Sequence, residues 1–228
     1  MKLSILIPVY NEKNTIEKIL KKVKKVHLKG IKKEIIIVDD NSNDGTKDIL
    51  ENFDLKNLLV LYNSSNHGKG YSIKKAIKHA TGDIIIFQDA DLEYNPEDYK
   101  KLIDCLLKNN QKVVYGSRFL KTNKKGNLSF YLGNRTLSLF TSFFYTSKIT
   151  DMETCYKLFR KEVIKNLNLK SDDFAIEPEI TAKILKRGIK IKEIPIDYHP
   201  RSFDKGKKIK WKDGFIALKT LVYYRFFN

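Results

Sequence analysis

Asp83-Ile84-Ile85-Ile86-Phe87-Gln88-Asp89-Ala90-Asp91-Leu92-Glu93 is the stretch that decides the fold. Four consecutive apolar residues between polar ones describe a short strand buried on both faces, as in a parallel sheet. The strand breaks off into Asp89 and Asp91, with Glu93 two residues further on. In open α/β sheets, ligands bind at the carboxyl ends of the strands. Carboxylates crowded there repel one another and resist desolvation unless something positive sits between them. A divalent cation such as Mg²⁺ meets that need, because it takes carboxylate oxygens together with substrate phosphates. Taken alone, an Asp-x-Asp reads equally as a solvated turn before the helix that starts near Pro96. The rest of the chain chooses between the two.

Upstream, strand and helix signals alternate. Leu3–Val9 reads as a buried strand, followed by a helix with Ile16, Ile19, Leu20, Val23 and Val26 on one face. Glu34–Val38 is a second strand ending in Asp39-Asp40, and Asn43-Asp44-Gly45 marks a turn before a short helix over Thr46–Phe53. Leu58–Tyr62 is a third strand, and Ile73, Ala76, Ile77 and Ala80 define another amphipathic helix. Beyond the acidic loop come a helix from Pro96 to about Asn109 and a strand at Val113–Tyr115. This β-α-β-α order predicts a parallel sheet with right-handed crossovers. Neither a Gly-x-Gly-x-x-Gly nor a P-loop follows the first strand, so an ordinary dinucleotide site is not supported.

The second half is less regular. Residues 117–135 read as a polar loop, and residues 137–149 are aromatic-rich and uncharged until Lys148. Tyr156–Phe159 and Ile189–Ile196 read as strands, Glu177–Lys186 as a helix, and Lys207 to Asn228 as a basic, aromatic amphipathic helix.

The chain has 228 residues, enough for one domain with a sizeable core. Its formal net charge of +17 raises nucleic acid as a partner. However, only six of its 44 basic residues are arginine, and the lysines are spread along the whole chain. That dispersion argues for solvated faces, phosphate-bearing substrates or an anionic membrane surface, and against nucleic acid. Cys105 and Cys155 have no metal-type spacing, which suits a reduced, cytoplasmic protein. The sequence shows no signal peptide and no apolar run of membrane-spanning length.

Four motifs then fall in order: Pro8-Val9-Tyr10-Asn11-Glu12, Val38 to Thr46, Asn66-His67-Gly68-Lys69-Gly70 and Asp89-Ala90-Asp91. Together they resemble the GT-A fold glycosyltransferases of family 2. Downstream, Gly116-Ser117-Arg118, Gly133-Asn134-Arg135, Asp151 to Arg160 and Tyr198-His199-Pro200-Arg201 resemble its polyprenyl-phosphate branch, typified by dolichyl-phosphate mannose synthase. The resemblance implies an α/β, Rossmann-like, mostly parallel sheet flanked by helices, with C-terminal amphipathic helices. Residues 1–228 would then form one domain, with 1–116 binding the nucleotide sugar and 117–228 the acceptor.

The same resemblance implies site residues. Pro8, Tyr10, Glu12 and Asp39 would contact base and ribose, a carboxylate accepting from ribose hydroxyls as is usual in sugar recognition. Gly68, Lys69, Asp89, Ala90, Asp91 and Arg201 would complete the donor pocket. Asp40 reads either as part of it or as a turn residue, and Gly45 and Thr46 as a turn and helix cap. Gly68 and Gly70 serve either close backbone approach or capping. Asp91 would ligate Mg²⁺ or Mn²⁺ bridging the donor phosphates, Glu93 would add a harder ligand, and Asp89 would face the donor sugar.

A lipid phosphate is already anionic and needs cations rather than a base, whereas a hydroxyl acceptor needs a general base. Arg118 and Arg135, with Ser138 one turn beyond, would bind the acceptor phosphate, since the guanidinium fork suits phosphate oxygens. Lys207 and Lys208 are added as helpers, although the spacing from Arg201 to Gly206 exceeds the mannose-synthase pattern. Asp151 stands as a base for a hydroxyl acceptor or as an arginine's partner.

The expectation is thus an inverting, metal-dependent transfer of a hexose from UDP- or GDP-hexose to undecaprenyl or dolichyl phosphate. It would take place at the cytoplasmic face of the membrane, where the aromatic segment and the C-terminal helix would lie in the headgroup region or pack in the core. Relatives often continue into transmembrane helices, so a homo-oligomer or a separate membrane partner is also expected. The rival is a glycan or protein hydroxyl acceptor in cell-envelope polysaccharide synthesis. A non-enzymatic nucleic-acid binder leaves Asp89 and Asp91 without purpose, and a nucleotidyltransferase wants a Gly-rich loop after the first strand.

Overall fold

The computed structural model describes residues 1–124, 126–201 and 211–227. Its first half follows the predicted alternation. In order come β1 (Lys2–Val9), α1 (Ile16–Lys25), β2 (Lys32–Asp39), α2 (Thr46–Glu51), β3 (Leu58–Tyr62), α3 (Lys69–His79) and β4 (Ile84–Phe87). A 3₁₀ turn at Pro96–Asp98 leads into α4 (Tyr99–Lys108), and β5 (Val113–Ser117) follows. The predicted apolar face of α1 is the buried one, with Ile16, Ile19, Leu20 and Val23 in the core.

After β5 come α5 (Leu128–Phe144), β6 (Lys157–Arg160), α6 (Lys161–Lys165), α7 (Ile176–Lys186) and β7 (Ile191–Pro195), and among the described residues the sheet has seven strands in the order β3-β2-β1-β4-β6-β5-β7. β1 pairs in parallel with β2 on one side and β4 on the other, so the strand order reverses at β1. That reversal opens the crevice in which ligands of open α/β sheets bind, and the β1 and β4 carboxyl ends carry Tyr10–Glu12 and Asp89–Glu93.

The second half supplies the antiparallel strand of this mostly parallel sheet. β6 lies antiparallel between β4 and β5. The reason is local. The Ser117 and Thr150 hydroxyls meet at 2.6 Å and the Arg118 N–H donates to Asp151. The chain therefore returns to the same sheet edge that it left, and the next strand must run the opposite way.

A correction concerns residues 117–135. From residue 128 onward they are helical: α5 starts at Leu128, capped by Asn127 Oδ1, which accepts from the Ser129 N–H at 3.0 Å. Gly133 and the scattered polar residues hid that turn, while Asn127 before an apolar stretch was its signal. The C-terminal α8 (Trp211–Phe226) packs on α5 and α7, with Tyr145, Met152, Ala182 and Leu221 buried between them. Lys207 and Lys208 lie outside the described residues.

Candidate active site

The loop after β2 is a buckle. Asn11 turns the chain at φ +50°, and its backbone N–H donates to Ser42 Oγ at 2.8 Å, while its Oδ1 accepts from the Asn43 N–H at 2.9 Å. The Glu12 N–H donates to Thr46 Oγ1, and Asp44 accepts from both N–H and O–H of Thr46. Asp39 accepts from the Ser42 hydroxyl at 2.5 Å and its N–H at 3.1 Å. These bonds fix Tyr10 and Glu12, both predicted donor contacts, at the mouth of the crevice, with half-buried Pro8 at the end of β1.

Asp40 shows the turn role that was one of its two expected readings. Its carboxylate accepts from Asn63 Nδ2 at 2.7 Å and from the His67 and Gly68 N–H groups at 3.0 and 2.7 Å. Its oxygens are taken up in holding the turn that starts α3. Gly68, at φ +97°, answers the open question about the glycines. A Cβ there would lie 2.5 Å from the Asp172 carbonyl oxygen, and one on Gly70 would lie 2.5 Å from that of Ser171. Close approach is needed, but the approaching backbone is the protein's own 171–173 segment.

That turn delivers Lys69 into the crevice. Its ammonium lies 2.9 Å from Asp89 Oδ1 and 3.0 Å from Glu177 Oε1. Glu177, in the first turn of α7, also pairs with the fully buried Lys157 of β6. Burial alone would lower the Lys69 pKa, but Asp89 and then Glu177 hold it well above the ordinary lysine value. Burial would likewise raise Asp89, and Lys69 overrides it to keep the carboxyl low. Buried Ala90 separates the two aspartates.

Asp91 is the contrasting group. Burial first, then the charges of Asp89 and Glu93, push its carboxyl up to about 7 against the pull of Arg201. The loop turns through Leu92 at φ +65°, a strained value for a branched side chain, and Asp91 Oδ1 accepts the Glu93 N–H at 3.1 Å. A carboxylate so crowded fits a divalent cation. Among the described residues no three His, Cys, Asp or Glu side chains form a complete ligand set. The arrangement therefore suits Mg²⁺ or Mn²⁺ held by one carboxylate and completed by substrate phosphates and water. Glu93, the other expected ligand, also has a positioning task. Its oxygens accept from the Tyr198 hydroxyl at 2.8 Å and the Arg201 N–H at 2.7 Å, so it clamps the 198–201 arm to the acidic loop. Arg201, from that arm, reaches Glu12 at 3.0 and 3.1 Å and lies 3.7 Å from Asp91.

The other two predicted arginines lie together on the far side of Tyr198. Arg118 forms a bidentate pair with fully buried Asp151, with Nε and one terminal nitrogen each 2.7 Å from the carboxylate. Of the two readings of Asp151, the arginine partner is the one the geometry gives. Arg118 also stacks over Tyr198 and Phe119, and Arg135 over the same Phe119 ring at 5.3 Å. Among the described residues Arg135 has no carboxylate partner. Ser138, expected to bind phosphate, is buried. It donates its proton to the Asn134 carbonyl at 2.8 Å and accepts from the Met152 N–H at 3.0 Å, which ties α5 to the Asp151 segment. A cleft of about 360 Å³ opens here, lined by Arg118, Phe119, Phe130, Tyr131 and Tyr198 among others.

Residues 4–167 match the family model described as glycosyl transferase family 2. The chain belongs to glycosyl transferase family 2. Among its relatives, the dolichol-phosphate mannosyltransferase of Pyrococcus furiosus is 30% identical over 97% of this chain, and the glycosyltransferase AglJ of Haloferax volcanii is 29% identical over 86%. The chain spans 63% of the length of each. The fold matches that of Mycobacterium tuberculosis glucosyl-3-phosphoglycerate synthase, solved with Mn²⁺, UDP and glucosyl-3-phosphoglycerate. The TM-score is 0.74 at 16% identity, covering 100% of this chain and 81% of the other. The same protein solved with Mg²⁺ and UDP gives a TM-score of 0.73 at 18% identity, covering 100% and 80%. At those identities the likeness establishes the GT-A architecture.

Three charged residues around this site were not legible as site residues one by one: buried Lys157, half-buried Glu153 and, in its pairing with Lys69, buried Glu177. Glu153 left one trace, an acid inside the otherwise uncharged run Met152 to Tyr156.

Proposed function

We propose that the protein transfers a hexose from a UDP- or GDP-linked donor to a polyprenyl phosphate, with inversion at the anomeric carbon. The observation that carries this reading is the double character of α5. Arg135, a cation without a carboxylate partner among the described residues, projects from the same helix as Leu132, Leu139 and Phe143, which are 54, 63 and 86% exposed. A phosphate head joined to a long apolar tail is complementary to that pairing. Exposed Trp211, Phe215, Phe226 and Phe227 of the α8 segment extend the apolar surface. No helix among the described residues is long and apolar enough to cross a membrane, so the reading puts the protein on the cytoplasmic surface of a bilayer through α5 and α8. The similarity to a dolichol-phosphate mannosyltransferase supports the same acceptor class.

On the donor side, Tyr10, Glu12 and Asp39 bind the nucleoside, and Asp89, oriented by Lys69, faces the sugar. Asp91 holds Mg²⁺ or Mn²⁺, which when bound neutralises charge on the departing diphosphate. A phosphate oxygen of the acceptor attacks the anomeric carbon as its bond to the nucleoside diphosphate breaks. The new bond is a glycosyl phosphate and the diphosphate leaves with the electron pair. An anionic acceptor needs no base. Asp151, the residue that a hydroxyl acceptor would have recruited, is committed to Arg118.

A panel of radiolabelled UDP- and GDP-hexoses, each with Mg²⁺ or Mn²⁺ and undecaprenyl or dolichyl phosphate in detergent, tests the reading. One donor is expected to give an organic-soluble, metal-dependent product. Failure of every donor with both lipids refutes the acceptor assignment.

A further inference from the structure

The carboxylates around the site are all accounted for, with one exception. Asp89 faces Lys69, Asp91 accepts from the Glu93 N–H, Glu93 holds Tyr198, Asp151 holds Arg118 and Glu177 lies between Lys157 and Lys69. Among the described residues the buried Glu153 Oε1 has no hydrogen-bond partner; Glu177 Oε1, the other such carboxylate oxygen, faces the Lys69 ammonium at 3.0 Å. Buried polar atoms are nearly always satisfied, and the exceptions concentrate where function requires them.

The charges acting on Glu153 are Lys157 from β6, Glu177 from α7, Arg118 from the end of β5 and Lys69 from the start of α3. Each of these cations is already matched: Lys69 by Asp89, Lys157 by Glu177 and Arg118 by Asp151. An ionised Glu153 would therefore add an unmatched negative charge in a buried cluster. Burial, with Glu177 nearby, accordingly pushes its carboxyl up to about 7, against the pull of Lys157. Its surroundings also locate it. Lys69 leads to Asp89 on the donor side, and Arg118 lines the cleft on the acceptor side. In the chain Glu153 lies between Asp151, which holds Arg118 at the cleft, and Thr154, whose carbonyl accepts from the Lys157 ammonium that shares Glu177 with Lys69, so it stands where the two halves meet.

We propose that Glu153 is an acceptor-binding residue whose neutral carboxylic acid donates a hydrogen bond to an oxygen of the acceptor phosphate. This rests on the polyprenyl-phosphate reading above. A phosphate entering this cluster meets cations that neighbouring carboxylates have already neutralised, and an ionised Glu153 would repel it. The neutral acid instead offers a donor without adding charge. The arriving phosphate raises the carboxyl pKa further, so protonation and acceptor binding reinforce each other. No proton is transferred: the O–H stays on Glu153 while the phosphate oxygen attacks.

The test compares wild type, Glu153→Gln and Glu153→Ala in initial-rate kinetics with undecaprenyl phosphate at saturating Mg²⁺, across roughly pH 6 to 9. Wild-type kcat/KM for the acceptor is expected to fall above pH about 7. The Gln variant, which keeps a neutral donor, should stay within about threefold of wild type and lose that decline. The acceptor phosphate's own ionisation is common to both profiles and cancels in the comparison. The Ala variant should raise the acceptor KM about tenfold and leave the donor KM unchanged, which also shows that it folds. Three results overturn the assignment: a Gln variant as impaired as Ala with a wild-type rate that rises with pH, which would make Glu153 a base; an Ala variant whose donor KM moves instead; or an Ala variant equal to wild type. If wild-type protein glycosylates no lipid phosphate from any donor, the acceptor reading itself falls and takes this assignment with it.

Discussion

The sides of the crevice proposed for donor and acceptor handle charge in opposite ways. On the donor side the carboxylates come first and the cations reach in from elsewhere: Lys69 from α3 to Asp89, Arg201 from the 198–201 arm to Glu12. Asp91 is left underneutralised, with its carboxyl pushed up to about 7. On the acceptor side the cations come first. Arg118 is fully met by Asp151, whereas Arg135 rests on an aromatic ring without a carboxylate among the described residues. On the proposed reading, one side takes a cation and the phosphates that travel with it, and the other takes an anion that arrives alone. Tyr198 joins them, bonded to Glu93 and stacked under Arg118.

The sharpest way to break this contrast is Asp91→Ala. It removes the underneutralised carboxylate and should lower turnover about 1000-fold. Metal-dependent donor binding, read by calorimetry with Mn²⁺ and the nucleoside diphosphate, should disappear while acceptor affinity survives. Asp151→Asn comes next and strikes the other side. Leaving Arg118 buried without its countercharge should cost about 3–5 kcal/mol. In thermal unfolding that amounts to a fall on the order of 10 °C. A variant as stable as wild type would mean that the pair is solvated and Arg118 is free to bind phosphate.

Much of the donor side was legible because each of its groups follows a strand directly. Tyr10–Glu12, Asp39-Asp40 and Asp89–Asp91 are strand-end residues, so an alternation of apolar runs and polar punctuation locates them. What the pattern did not tell was which of them touch a ligand. Nor did it tell that Asp40 and Glu93, which look like their neighbours in sequence, also accept from the protein's own N–H and O–H groups. The acceptor side was less legible because contacts far apart in the chain create it. The Arg118–Asp151 pair sets the direction of β6, and Glu153 acquires its character from Lys157, Glu177, Arg118 and Lys69 together. No local pattern encodes such a cluster.

Smaller effects sharpen the comparison. Arg135→Ala should raise the acceptor KM about tenfold with the donor KM unchanged. A change in both would place Arg135 in a shared site. The smallest effect concerns pH and stability without metal. Asp91 binds its proton more tightly folded than unfolded, its carboxyl standing at about 7 against an ordinary 3.8. Between those values the folded state holds more protons, so stability must fall as pH rises. Carboxyls held low, such as Glu34 at about 2, lose their contribution only as pH drops through the acid range. Metal-free protein should therefore lose melting temperature from pH about 5 to 7.5, and Asp91→Asn should flatten part of that slope. An identical slope in the variant would show that Asp91 is already neutralised by its neighbours.

The claim on which all of this turns is that the acceptor is an anionic lipid. Its most direct test offers both acceptor classes at once: labelled donor, divalent metal, undecaprenyl phosphate and a cell-envelope glycan in one reaction. The account predicts label in the organic phase as a glycosyl phosphate released by mild acid. Label that stays in the aqueous phase on the glycan, with none on the lipid, contradicts it.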